Sequence, residues 1–127
     1  MPSELLGKKI LIVVSSGPGS PERCVGPFFF ANSASRNKAE VSMLFVMNGS
    51  MLLKQGVAET ICAKEGGRPV RGFLDDCLKA GVKLYVCAAS LKLNDMVPDE
   101  LIDEVENLVG SSFLFTKGLQ SDMVLNF

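Results

Sequence analysis

Residues 8–23 have the sequence KKILIVVSSGPGSPER, and this stretch decides the predicted fold. Its centre is apolar on successive residues, which is typical of a strand that is covered on both faces. The next residues form a loop of glycine, proline and serine, and Ser20, Pro21 and Glu22 then provide a helix start. A buried strand that leads through a loop into a helix predicts a β-α-β unit with parallel strands.

Two more strands with apolar centres are predicted further along the chain. They are residues 40–47 (EVSMLFVM), which Asn48 and Gly49 end, and residues 82–87 (VKLYVC). Between them, apolar residues recur at helical spacing and Gly81 follows as a C-terminal stop. This stripe consists of Val70, Phe73, Leu74, Cys77 and Leu78.

The other elements are predicted from weaker patterns. The first helix is expected to run to about Asn37, with its start kinked or delayed by Gly26 and Pro27. A short helix is predicted over residues 57–64, and Pro98 is expected to open another helix. The buried stripe of that last helix would be Leu101, Ile102, Val105, Leu108 and Val109. Residues 111–116 and 122–127 are predicted as two final strands.

Alternation of strands and helices favours a parallel sheet between helix layers. We therefore predict a three-layer α/β/α fold with a mostly parallel five-stranded sheet. The chain has 127 residues, 47% of them apolar, which fits a single domain over residues 1–127.

Composition excludes several function classes. The net charge is −1, so no electrostatic feature favours nucleic acid or an anionic membrane as a partner. The first residues lack the pattern of a signal peptide, and the apolar runs are shorter than the ~20 residues of a membrane-spanning helix. We expect a soluble, cytoplasmic protein.

The chain contains four cysteines and no histidine. The absence of histidine excludes Cys/His zinc sites, Ser-His-Asp triads and Cys-His dyads. The cysteines show no CxxC spacing, so no metal site is predicted, and no organic cofactor is expected. In a reducing compartment these thiols should stay reduced.

Ligands of open α/β sheets gather beyond the carboxyl ends of the strands. Cys87 lies there, at the end of the third predicted strand, with Ala88, Ala89 and Ser90 as small neighbours. A helical turn after Cys87 would place unpaired N–H groups near its sulfur and favour the thiolate. Most cysteines in small domains are packed as small apolar residues, so position alone favours a packing role for Cys87 and leaves the functional role open.

The other three cysteines have weaker claims to a function. Cys77 lies in an apolar helix stripe and is expected to be buried. Cys24 follows the Gly/Pro loop, and an exposed thiol is compatible with that place although no other feature of the sequence supports it. Cys62 lies in a segment with no clear pattern, so its side chain could face the core or the solvent.

Polar residues and glycines of the same loops complete the predicted site. The loop with Gly17 and Gly19 is a weak candidate for a phosphate cradle, because it matches no established glycine motif. Arg23 and Lys92 are candidates for lowering the pKa of Cys87. The full set of pocket candidates is Gly17, Gly19, Arg23, Asn48, Gly49, Ser90 and Lys92.

Three segments, together with the order of elements, resemble the DsrE/DsrF-like family, which includes the TusD-type sulfur-relay subunits. They are residues 15–34 (SSGPGSPERCVGPFFFANSA), 45–53 (FVMNGSMLL) and 84–96 (LYVCAASLKLNDM). The resemblance implies that Cys87 accepts sulfane sulfur as a persulfide and passes it to a partner protein. The sequence after Cys87 is less basic than in the TusD type and lacks its glycine.

The resemblance also implies a homo-oligomer, a trimer or hexamer, with sulfur donor and acceptor proteins as further partners. Residues 27–31 (PFFFA) support an oligomer independently, because three consecutive phenylalanines cannot all face the core of one helix. Two alternatives stay open. One is a non-catalytic module that binds a small anion through Gly17, Gly19 and Asn48, and the other is an oligomeric scaffold with structural cysteines.

Overall fold

The computed structural model describes residues 4–127, and its core is a single five-stranded sheet. The strands are β1 (Lys9–Val14), β2 (Glu40–Phe45), β3 (Lys83–Cys87), β4 (Val105–Val109) and β5 (Met123–Asn126). Their order in the sheet is β4-β3-β2-β1-β5, and every neighbouring pair is parallel. The predicted α/β class and strand number are confirmed, and the sheet is parallel throughout.

Within residues 4–127 one α-helix joins each pair of consecutive strands. These helices are α1 (Gly26–Arg36), α2 (Val70–Lys79), α3 (Ala88–Leu93) and α4 (Ser112–Leu119). None of them has the length and apolar composition needed to cross a bilayer.

The two faces of the sheet pack into separate apolar clusters. The larger cluster joins side chains such as Met43 of β2 to Phe28 of α1 and Leu74 of α2. The smaller cluster contains Leu11 and Val13 of β1, and α4 packs against it. Successive side chains of a strand point to opposite faces, so a strand covered on both sides must be apolar at every position. This requirement explains the sequence of β1 and confirms the three layers.

The predicted apolar stripe of residues 70–78 forms α2. Its members Val70, Leu74 and Cys77 are fully buried, and Gly81 adopts a φ of +94° just after the helix. Full burial of an aliphatic side chain the size of Leu74 stabilises the fold by about 1.5–3 kcal/mol. The delayed start of the first helix is also confirmed, because a 3-10 turn at Pro21–Arg23 precedes α1.

The helix predicted after Pro98 is wrong. Only one 3-10 turn forms, at Pro98–Glu100, and residues 105–109 are β4, which pairs with β3. Leu101 forms an antiparallel bridge with Lys54, and the Ile102 N–H donates to the Leu53 carbonyl at 2.9 Å, so these two residues are held extended before a turn at residues 103–104. Contacts between distant segments therefore override the helical spacing of the apolar residues.

Two shorter predictions are also wrong. Residues 111–116 lie mostly in α4 rather than in a strand, with Phe113 and Leu114 packed on the smaller cluster. Residues 57–64 contain only the 3-10 turn Ala58–Thr60. Short apolar runs do not distinguish a strand from a buried helix, and the sheet surface beneath α4 decides this case.

Candidate functional site

The carboxyl ends of β1, β2 and β3 meet at one edge of the sheet, which we call the carboxyl edge. Val14 pairs with Phe45, and Phe45 pairs with Val86, so Cys87 extends one residue beyond this line. On its other side Cys87 pairs with Val109 of β4. The loops that follow the three strands therefore meet at this edge, as predicted.

Cys87 is the last residue of β3 and immediately precedes α3. Its thiol is half-buried, and no hydrogen bond from it to another residue of 4–127 is found. Val86 belongs to the larger cluster and Tyr85 to the smaller one, so strand alternation directs Cys87 to the α4 side of the sheet. A helix of six residues, α3, follows Cys87 directly, and it meets the condition under which the sequence would place unpaired N–H groups near this thiol.

The environments of Cys24 and Cys77 differ from that of Cys87, because both of these thiols are fully buried. Cys77 is fully buried and donates to the Phe28 carbonyl at 3.0 Å, and its burial and the Asp76 charge raise its pKa to about 12. Cys24 is also fully buried and donates to the Gly17 carbonyl at 3.2 Å. Burial raises the pKa of the Cys24 thiol, with a smaller contribution from Glu22. Neither thiol is poised to act as a nucleophile, because the thiolate is the reactive form.

Cys62 is half-buried like Cys87, but it lies in the long connection between β2 and α2. It forms an isolated antiparallel bridge with Pro69. Cys62 and Cys87 are therefore the two cysteines that keep partial access to solvent.

Glycines bring the first two loops of the carboxyl edge into contact. A side chain on Gly17 would collide with the Asn48 backbone, and one on Gly49 would collide with the Val14 carbonyl. Gly19 has open space instead. Close packing of two backbones therefore accounts for Gly17 and Gly49 without any ligand.

The loop after β2 is fixed to α3 by side chains on both sides. Met47 adopts a left-handed φ of +51°, which is uncommon for a residue with a side chain. Its N–H donates to Ser90 Oγ at 2.7 Å, and its carbonyl accepts from Asn94 Nδ2 at 2.8 Å and from Ser50 Oγ at 2.9 Å. We call these four residues the β2–α3 brace.

Ser90 was predicted in the site, whereas the roles of Met47, Ser50 and Asn94 were missed. The available signal was a pair of polar residues four apart, Ser90 on the short helix beside the strand-end cysteine and Asn94 directly after its end. In a helix of that length, side chains i and i+4 share one face and can bind the same neighbouring loop.

The two predicted basic residues occupy different places. Lys92 is exposed on α3, the helix that Cys87 precedes. Arg23 lines a cavity of about 390 Å³ together with Asn126 and Phe127 at the end of β5. Three strand spacings of about 4.8 Å separate β5 from β3, so Arg23 lies on the far side of the sheet edge from Cys87.

A cluster of aromatic rings is exposed beside that cavity. Phe28 is fully buried, while Phe29 and Phe30 are 56% and 50% exposed. Phe29 contacts Phe30 edge-on with ring centroids 5.5 Å apart, and Phe30 stacks on Phe127 at 5.9 Å. At least one phenylalanine of this run was expected to face outward, and two of them, Phe29 and Phe30, do so. We call Phe29, Phe30 and Phe127 the aromatic patch.

The acidic and thiol side chains do not gather into a metal site. Within residues 4–127 no three of the side chains that commonly bind metals are close enough to hold an ion. Glu100 and Glu104 instead pair with Lys54 and Arg71, at 3.3 and 2.7 Å.

Known proteins resemble this chain in sequence and in fold. Residues 8–127 match the model of the DsrE/DsrF-like family. The chain is 26% identical over 107 residues to the uncharacterized protein MJ0760 of Methanocaldococcus jannaschii. That match covers 84% of the chain but only 38% of the relative, so the chain spans less than half of the relative's length.

Solved structures share the fold at low sequence identity. The crystal structure of the ychN protein from E. coli superposes with a TM-score of 0.78 at 20% identity, covering 94% of this chain and 99% of that one. A protein of unknown function from Bacteroides thetaiotaomicron, BT1422, gives a TM-score of 0.68 at 9% identity, with 100% and 98% covered. At these identities the likeness concerns the fold alone.

Proposed function

The chain belongs to the DsrE/DsrF-like family, and from this we propose that it carries sulfane sulfur as a persulfide on Cys87 and passes it to a partner. Family membership itself suggests a role of the sulfur-relay type. The observation that carries the assignment to Cys87 is its position, because, of the two half-buried thiols, Cys87 ends β3 at the carboxyl edge and Cys62 lies in the connection between β2 and α2. Cys87 is half-buried at the carboxyl edge with no internal hydrogen bond found, while Cys24 and Cys77 are buried and hydrogen-bonded to carbonyls.

The proposed chemistry is thiolate exchange at sulfur. The Cys87 thiolate attacks the terminal sulfur of a donor persulfide, so that a new S–S bond forms and the donor's S–S bond breaks. The donor leaves as a thiolate, and the transferred sulfur keeps its proton. In the second step an acceptor thiolate attacks the outer sulfur and Cys87 leaves as the thiolate. No external oxidant or reductant is needed.

The β2–α3 brace supports this proposal. It holds the loop after β2 against the helix that follows Cys87, through hydrogen bonds of 2.7 and 2.8 Å to the Met47 backbone. A strained backbone that is over-determined by its surroundings is common at functional sites. In the proposed carrier, the brace keeps the surroundings of the sulfur constant while donor and acceptor approach.

The test is a mass measurement on intact protein after incubation with a polysulfide donor. The parent protein should gain about 32 Da, the mass of one sulfur atom added to a thiol. Cys87→Ser should fold normally and gain nothing. Cys62→Ser is the matched control, because Cys62 is the other half-buried thiol, and it should gain sulfur like the parent. Sulfur uptake by Cys87→Ser would refute the assignment, and its unfolding would return Cys87 to the core.

The partners of the proposed carrier are sulfur donor and acceptor proteins and further copies of this chain, as a trimer or hexamer. The aromatic patch supports the oligomer, because Phe29 and Phe30 leave half of their surface in water beside the edge strand β5. We also propose that residues 1–127 form one domain, since one sheet with two apolar clusters unites all the strands described.

A binding module for a small anion at the loops of Gly17, Gly19 and Asn48 has less support. Gly17 and Gly49 are accounted for by packing against neighbouring backbone. Reaction with a thiol reagent separates the two functions, because one fast cysteine at position 87 supports a carrier and uniformly slow cysteines support a module or scaffold.

A further inference from the structure

The opposite edge of the sheet, where β2 and β3 begin, contains a polar cavity of about 290 Å³ that the proposed sulfur chemistry does not use. We call it the amino-edge cavity. The residues that matter for its chemistry are Lys38, Glu40, Ser42, Lys83, Tyr85 and Lys117. We propose that this cavity binds a small, multiply charged oxyanion of the phosphate type.

The fold assembles the three lysines from separate segments. Lys83 is the first residue of β3, and Lys38 follows the end of α1 with a left-handed φ of +75°. Lys117 lies in the second half of α4, which runs back from the carboxyl edge across the sheet. Lysines almost 80 positions apart along the chain therefore line one cavity.

The charge of the cavity wall is positive. Three lysines face one carboxylate, that of Glu40, which leaves a net charge of +2 in a chain whose overall net charge is −1. Among residues 4–127 the ion pairs found join other side chains, so these lysines have no carboxylate within salt-bridge distance. Concentrated positive charge in a concave wall attracts anions more strongly than the same charge spread over a surface.

Ser42 provides an independent observation. Among residues 4–127 it is one of three buried polar residues, with only 6% of its surface exposed, and the hydroxyls of the other two, Ser50 and Ser90, form hydrogen bonds with Met47. For the Ser42 hydroxyl no hydrogen bond is found in the described part of the chain. In that part of the chain every fully enclosed side-chain oxygen or nitrogen has a hydrogen-bond partner. Because the Ser42 hydroxyl has none, its oxygen is not fully enclosed, and it contacts solvent through the cavity that Ser42 lines.

Strand alternation and register place these groups on one face. Ser42 pairs with Lys83, and Leu44 pairs with Tyr85, so the two residues of β3 follow each other on the α4 side. The Tyr85 ring packs against Phe113 of α4, with centroids 4.7 Å apart, which fixes its position in the wall. Lysine and serine side chains therefore line the same cavity, and oxyanions accept hydrogen bonds from both ammonium and hydroxyl groups.

The size of the cavity limits the ligand. A volume of about 290 Å³ is just below the range of about 300–1,000 Å³ that holds drug-sized molecules. Inorganic phosphate, pyrophosphate and the phosphate group of a small ester have the required chemistry. This inference does not rest on the function proposed for Cys87, because the cavity is at the other end of β3.

The experiment is isothermal titration calorimetry of the full chain with inorganic phosphate, pyrophosphate and ribose 5-phosphate at low ionic strength. We expect saturable binding of at least one of them at a single site. Lys83→Gln and Lys117→Gln should each weaken binding about tenfold or more, the scale of losing one charge-assisted hydrogen bond. Lys64→Gln removes an exposed lysine that does not line the cavity, and it should change the affinity less than about twofold.

Ser42→Ala is the second test, because removing a hydroxyl without a protein partner should leave the urea midpoint unchanged. It should nevertheless weaken oxyanion binding severalfold. Tighter binding of ribose 5-phosphate than of phosphate would identify an organic ester as the ligand, and the reverse order would identify an inorganic anion. The proposal is overturned if none of the three probes saturates, or if Lys64→Gln weakens binding as much as Lys83→Gln does.

Discussion

Replacing Asn94 with alanine removes one side of the β2–α3 brace. The two N–H hydrogens of Asn94 Nδ2 are shared among three acceptors, which are the Met47 carbonyl at 2.8 Å, Ser50 Oγ at 3.0 Å and the Ser90 carbonyl at 3.1 Å. The last of these is local to α3, while the first two join α3 to the loop after β2. The free energy of unfolding should therefore fall, and the loop should loosen.

Asn37 provides a matched control for this change. It also follows the end of its helix, and its Nδ2 donates to the carbonyl four residues earlier, that of Ser33, at 2.9 Å. Both alanine variants lose that local bond and change the same type of helix end. The difference between Asn94→Ala and Asn37→Ala therefore isolates the two bonds that join α3 to the β2 loop.

Each neutral hydrogen bond contributes about 0.5–1.5 kcal/mol net. Because two hydrogens serve three acceptors, the two bonds to the β2 loop are together weaker than two full bonds, and the predicted difference is about 1–2 kcal/mol. With a urea dependence of about 2 kcal/mol per M, the midpoint for Asn94→Ala should lie about 1 M below that for Asn37→Ala. Relaxation of Met47 from its left-handed conformation reduces the loss, because a strained residue stores of order 1 kcal/mol.

The assay is urea unfolding of both variants at one protein concentration, with amide hydrogen exchange as a local readout. The Met47 N–H should exchange faster in Asn94→Ala than in the parent protein. Equal midpoints for the two variants, together with unchanged exchange at Met47, would refute the structural role of the brace.

Other predictions follow from the same structure. At pH 8 alkylation of Cys77 should be roughly a thousandfold or more slower than that of an ordinary thiol, because a pKa of about 12 leaves about 10⁻⁴ of the Cys77 side chain as thiolate. Peptide mapping that finds Cys77 labelled before Cys87 would contradict this prediction. Its rate should rise about tenfold per pH unit until the thiol titrates, provided that the fold persists. Gly49→Ala should lower the free energy of unfolding by about 1–3 kcal/mol because its Cβ would collide with the backbone of β1, whereas Gly19→Ala, with open space around it, should not destabilise the protein. Phe30→Ser should shift the protein towards monomer in light scattering, and a parent protein that is already monomeric at micromolar concentration would remove the proposed oligomer.

Local sequence patterns predicted the elements whose burial is uniform along the chain. The strands β1, β2 and β3 are apolar at nearly every central position, and α2 has one regular stripe. For such segments the pattern of burial is set by the element itself, so it can be recognised without knowledge of its neighbours. The position of Cys87 at the end of β3 belongs to this group.

The pattern failed where a neighbouring segment decides the structure. β4 pairs on one side only, with β3, and its residues are half-buried or exposed, so the strand has neither an apolar core nor a clean alternation. α4 covers the sheet face near Leu11 and Leu44, and its short apolar run is compatible with a strand until that face is known.

By itself, the sequence determined a parallel α/β sheet, a cysteine at the end of its third strand and aromatic rings too numerous for one helix face. Tertiary structure alone decided that Cys24 is buried as well as Cys77, which carbonyls these two thiols contact, how Ser90 and Asn94 hold Met47, and that lysines from three segments line one cavity. The physical reason is distance along the chain. The brace joins residues more than 40 positions apart, and such contacts exist only after the strands have paired and closed the loops between them.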